Sequence, residues 1–298
     1  MWLIFAILGH LLNAFVFITD KAFVVRFFPS PKTLAFISGA VGIFTFVLFP
    51  WFLKPASGGI ILAAVVAGAL TVPTLILLFT ALRRDEVSRV IPAIGSMAPP
   101  FTFILSYWIL GERLGDRFLA AFILLAIGGV LIAFRSFASI FKRERYSIFF
   151  FEMAVGFLFA LSAVLQKYAF NGTDDFSAFL WSRVGAVGSA MPLLFSSEVR
   201  DMMKLRELRS GGVRSGVLYV LSRIFAGIAP LVIIVAISFG SATLVNSLQG
   251  FQYAFLFVLA LFFSRRWPEI FSEDISRQVI IQKSIATVLI MAGLALLI

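Results

Sequence analysis

Apolar runs of about twenty residues alternate with short polar or basic breaks along this whole chain. A helix that crosses a bilayer needs about 20 mostly apolar residues, and ten segments qualify. They cover residues 2–19, 33–52, 60–82, 87–110 and 118–134, then 148–167, 177–195, 213–237, 242–263 and 280–298. Only Arg83-Arg84-Asp85-Glu86 separates the third run from the fourth, and Ser238-Phe239-Gly240-Ser241 the eighth from the ninth. The longest polar stretch, 196–212, reads as a loop with a short surface helix, and no soluble domain fits between the runs. The chain opens Met1-Trp2-Leu3 without a basic region, and no small-residue cleavage site precedes Asp20-Lys21. The first run is therefore expected to be a retained helix and not a signal peptide.

The second half repeats the first. Lys21 follows Thr19-Asp20 as Lys167 follows Leu165-Gln166, and Gly39-Ala40-Val41-Gly42 recurs as Gly185-Ala186-Val187-Gly188. Both matches lie 146 residues apart (167 − 21 and 185 − 39). Two related halves are the mark of an internal-repeat transporter. Five helices in each half give them opposite orientations. The expected fold is an all-α integral membrane protein of ten transmembrane helices, arranged as two inverted five-helix repeats, 1–146 and 147–298.

Composition agrees. Hydrophobic residues make up 61% of the 298 positions and charged residues 13%, about half the charged share of a soluble domain. The net charge of +10 does not point to nucleic acid, because the basic residues collect in short loops between apolar runs. Lys21, Arg26, Lys32, Arg83, Arg84, Lys142, Arg143, Arg145, Arg265 and Arg266 all fall in loops that follow odd-numbered runs. Opposite them stand only Lys54, Arg113, Arg117 and Lys167. Positive-inside bias then puts the basic loops in the cytoplasm and both termini outside, in a multi-pass protein of the plasma or inner membrane.

The run Ala81-Leu82-Arg83-Arg84-Asp85-Glu86-Val87-Ser88-Arg89-Val90, with Pro92, Pro99 and the closing Gly111-Glu112, resembles the ten-helix EamA-like branch of the drug/metabolite transporter superfamily. Ala236-Ile237-Ser238-Phe239-Gly240-Ser241-Ala242-Thr243 is the similar stretch of the second half. There the chain departs from the pattern: Ser264-Arg265-Arg266-Trp267 stands where a Gly-Glu pair would close the ninth helix. The resemblance implies two inverted bundles around a central cavity that opens to each side in turn.

Polar side chains deep in a membrane helix are costly, and they face the bundle interior or a wet cavity. On the first helix His10 and Asn13 share a polar stripe, and Asn246, Gln249 and Tyr253 form another on the ninth, with Gln252 one step round. The competing account is plain interhelical hydrogen bonding. Arg223 stands about ten residues inside the eighth run with no acid in the central third of any helix to meet it. Its guanidinium suits an anionic substrate group, or else backbone carbonyls freed by Pro230 or Pro73. Arg223, Asn13, Asn246, Gln249, His10 and Tyr253 are thus the candidate substrate-binding set. Lys21 and Lys167, equivalent in the two halves, are candidate gate rims, against simple interfacial anchoring.

A secondary transporter of a small metabolite, such as an amino acid or an anionic relative, is the expected function. A flippase for a lipid or lipid-linked substrate is the alternative. A membrane-embedded enzyme fits less well: one histidine and no cysteine leave little for metal or nucleophilic chemistry. No cofactor is expected. The expected partners are the substrate and the bilayer, with a monomer or homodimer as the assembly.

Overall fold

The computed structural model describes residues 2–28, 30–111, 117–133, 143–203, 222, 224–226, 228–229, 232–233, 235–236, 239, 249–271, 273–274 and 276–296. Among them every regular element is a helix. Helix α1 spans Trp2–Arg26, α2 Pro31–Phe52, α3 Gly58–Arg84 and α4 Val87–Leu110. Next come α5 at Arg117–Ala133, α6 at Arg143–Gly172 and α7 at Asp175–Phe195. A short helix α8, Ser197–Met203, is followed by α9 at Gln249–Arg266 and α10 at Arg277–Leu296. Seven of these, α1 to α4, α6, α7 and α10, are long and apolar enough to cross a membrane. This is the architecture of a multi-pass membrane protein. The eighth expected helix, 213–237, lies mostly outside the described residues, and so does the first part of the ninth.

Local chemistry sets the helix ends. Ser30 caps α2: its hydroxyl accepts from the Lys32 N–H at 3.2 Å, and Pro31 takes the first turn, where no N–H is needed. The Asp174 carboxylate caps α7 by accepting from the Ser177 N–H at 3.1 Å. Gly111, at φ 71°, closes α4 in the left-handed conformation that glycine adopts without a Cβ penalty. The regular ladder of α3 is interrupted at Leu70, three residues before Pro73, which has no N–H to donate to the preceding turn. Helix α1 runs past the polar pair where the first apolar run stops, because Asp20 and Lys21 are buried inside the bundle.

Helix α1 packs on α9, α4 on α5 and α6, α3 on α6 and α7, and α5 on α10. Small residues bring backbones close, as they do where lipid supplies no hydrophobic drive between helices. A Cβ added at Gly68 would fall 1.7 Å from the Ser182 carbonyl oxygen, and one at Gly185 would fall 1.8 Å from that of Val65. Large apolar side chains such as Phe44, Trp51, Trp108 and Phe195 point outward, which costs nothing in hydrocarbon.

Ion pairs between loops mark two ends of the bundle. At one end Lys32 reaches Glu198 at 2.9 Å, and Arg26 lies 3.7 Å from Glu269. At the other, Lys54 lies 3.7 Å from Asp174, its N–H donates to the Ser177 hydroxyl at 2.9 Å, and Phe52 packs edge-on against Phe176.

Candidate functional site

The α1–α9 contact holds a polar layer inside an apolar bundle. His10 and Gln252 are both buried, with the His10 Nδ1 3.4 Å from the Gln252 side-chain oxygen. With the amide oxygen facing the ring, that pairing puts a proton on Nδ1. Asn13, at the middle of α1, and Gln249, at the start of the described part of α9, are half-buried on the same two helices. Tyr253 is 1% exposed, and its hydroxyl has no hydrogen-bond partner among the described residues. It lies against Gly95 of α4, where an added Cβ would come within 1.7 Å of the phenol oxygen. Three helices of the bundle thus meet around a histidine, an amide and a phenol. Such a layer gathers hydrogen-bonding groups inside the apolar bundle.

Of the expected set, the structure places His10, Asn13, Gln249 and Tyr253 on the α1–α9 pair and brings Gln252 into contact with His10. Arg223 and Asn246 lie outside the described residues. The two lysines differ. Lys21 is buried and donates to the carbonyl of Leu82 and, at 2.8 Å, to that of Asp85, so it closes the C-terminal end of α3. Lys167 is exposed on α6, five residues before that helix ends (172 − 167).

A second cluster is ionic and fully enclosed. Lys283 of α10 donates to the Glu86 carboxylate, to the Ser88 hydroxyl at 2.7 Å and to the Glu273 carboxylate at 2.7 Å. Ser88 in turn donates to Glu273. Arg89 lies 3.4 Å from Glu86, and its other terminal nitrogen donates to the Ile132 carbonyl at the end of α5, at 2.9 Å. Glu86 also accepts from the Asp274 N–H at 3.3 Å. Glu86, Arg89 and Lys283 are at most 2% exposed. Buried charges hold only when paired and hydrogen-bonded, and these meet that condition. Sequence reading passed over Glu86, Glu273 and Lys283. Lys283, a lone lysine within the first turn of the tenth apolar run, was the available signal.

Among the described residues no group of three or more His, Asp or Glu side chains is placed to hold a metal ion. No protein-family model matches the chain, and no curated protein sequence matches it.

Proposed function

We propose that this chain is a secondary transporter with two inverted five-helix repeats, of the EamA-like type, which moves a small polar metabolite by alternating access. The buried His10–Gln252 contact beside the Tyr253 hydroxyl, which has no partner among the described residues, carries this proposal. Polar groups so placed inside a membrane bundle serve a substrate path by default.

The packing supports the inverted repeat. Raising each helix number by five turns the α1–α9 contact into α6–α4, and α4–α5 into α9–α10; both are observed. The relation extends to residues. On α5, a Cβ at Gly128 would meet Ile290 and the Ala286 carbonyl of α10; at Gly293 it would meet Leu125 and the Ala121 carbonyl of α5. Each pair is 165 positions apart (293 − 128, 290 − 125, 286 − 121). His10 against Gln252 has its counterpart in Gly156 against Met97, at offsets of 146 (156 − 10) and 155 (252 − 97). The latter is also the offset between the motifs at Ala81 and Ala236 (236 − 81).

Chain direction supports ten crossings. The ends of α7 and α9 both lie on the Lys32–Glu198 and Arg26–Glu269 side. The chain therefore leaves α8 at one end and starts α9 at the other, and the eighth expected helix supplies that crossing. Gly9 of α1 packs against Ala229 and Ile233 within it.

Neutral groups at the α1–α9 layer bind the polar part of the substrate, and Arg223 is assigned its carboxylate or phosphate. Uptake into proteoliposomes across an amino-acid and organic-acid panel, with and without a pH gradient, tests both. Arg223→Gln should abolish transport of anionic substrates while leaving membrane insertion intact. Normal anion transport by that variant would remove the assigned charge.

A further inference from the structure

We propose that the ion network around Lys283 is the latch of one gate, closed in this structure, at the end that loop charge assigns to the cytoplasm. This rests on the transport function proposed above. Alternating access requires the bundle to part at each end in turn, and at this end the parting surfaces are joined by ions. Glu86 and Ser88 belong to the first half of the chain, and Glu273 and Lys283 to the second. Lys21 draws the end of α1 onto the α3–α4 turn beside them. The network is buried, so separating the halves here means hydrating both carboxylates and Lys283 together. Such an element has two discrete states and little between them.

At the repeat-related positions the sequence carries no charge. The repeat offsets carry Glu86 to Ser241 (241 − 86 = 155), Ser88 to Thr243 (243 − 88 = 155) and Lys283 to Phe118 (283 − 118 = 165). Packing is paired between the halves, whereas the chemistry of the two gates is not.

The chain has no cysteine, so single thiols report access directly. Ile91 is 5% exposed and lies on α4 one turn beyond Ser88 and one turn before Gly95, between the network and the Tyr253 layer. Ile91→Cys in the otherwise native chain should react slowly with a membrane-impermeant methanethiosulfonate applied from the ionic end. Adding Lys283→Met should raise that rate at least about tenfold. Because that change takes the counter-ion from Glu273, the neutral pair Glu273→Gln and Lys283→Met carries the same expectation and keeps the Glu86–Arg89 pair intact. An unchanged rate in either variant, eluting as folded protein, would overturn the latch. A short bis-methanethiosulfonate joining Ser88→Cys to Glu273→Cys should stop substrate uptake until it is reduced, and uptake that persists through the cross-link overturns the latch without any neutral variant. Faster labelling in a chain that transports nothing on the panel would keep the latch and remove the transport proposal.

Discussion

Tyr253 isolates what a single residue does here. Its buried hydroxyl has no protein partner among the described residues, and an unsatisfied buried hydroxyl costs about 1–3 kcal/mol. Tyr253→Phe should therefore leave the melting temperature unchanged or raise it, by at most about 1 kcal/mol in stability. If the hydroxyl meets substrate, the same change should weaken apparent affinity by roughly 2- to 10-fold, the worth of one hydrogen bond. A lower melting temperature with unchanged transport kinetics would mean that the phenol serves the fold alone. Glu198 gives a residue-level test outside the membrane. The hydrogen bond from Lys32 holds its carboxyl below the usual 4.5. A lowered folded-state value means that the pair contributes above the ordinary carboxylate range and is lost as pH falls through the lowered one. The pair is half-exposed, so its worth is well under about 1 kcal/mol and shrinks with salt. Protection of the Ser197–Met203 amides, with the intrinsic pH dependence of exchange divided out, should accordingly be the same at pH 7 and pH 5 and lower at pH 3. The burial of His10, Gln252 and Tyr253 was legible in the sequence because a polar residue inside an apolar run stands out. Glu86 and Glu273 were not, since charge next to a run's end reads as solvated loop, and only folding brings 86, 273 and 283 together.

Between elements, the glycine runs show what spacing can and cannot convey. The repeat at 39–42 and 185–188 marks places of close approach, and the structure puts Gly185 against the Val65 carbonyl of α3. Which glycine of a run matters depends on where two axes cross, and sequence does not give crossing points. Gly188 has nothing within 4 Å of an added Cβ, although it belongs to the same run. Gly185→Ala should therefore cost about 1–3 kcal/mol, the usual penalty of overpacking, and Gly68→Ala should cost as much for its contact with Ser182. Gly188→Ala should be neutral or stabilising by up to about 1 kcal/mol through helix propensity. Thermal unfolding in one detergent checks all three, and equal melting temperatures for Gly185→Ala and Gly188→Ala would mean that α3 and α7 are not in backbone contact. Helix ends were read less well than helix centres. Helix α1 extends to Arg26 and α6 to Gly172, beyond the apolar runs at 2–19 and 148–167, because buried or flanking polar residues continue a helix that hydropathy alone would stop.

At the scale of the molecule, the basic loops and the ion pairs are independent witnesses to the same two ends. Loop charge places the turns holding Lys32, Arg83 and Arg265 on one side. The structure ties the first and third of these turns together through Arg26 and Glu269, and Lys283 binds Glu86 beside Arg83 to Glu273 beyond Arg265. Lys54 and Asp174 meet at the opposite end, where loop charge is sparse. The positive-inside rule converts this separation into an orientation, because short basic loops are retained in the cytoplasm. Reporters fused after Arg84 and Met203 should therefore be active as cytoplasmic proteins, and those fused after Lys54, Gly172 and Ile298 as exported ones. The C-terminal fusion decides most, since its side depends on every crossing before it. With ten crossings Ile298 lies on the same side as the N-terminus, outside; one crossing fewer between Met203 and Gln249 would reverse α9 and α10 and separate Arg26 from Glu269. A cytoplasmic signal after Ile298 would contradict both the charge rule and those ion pairs, and with them the inverted repeat on which the transport mechanism depends.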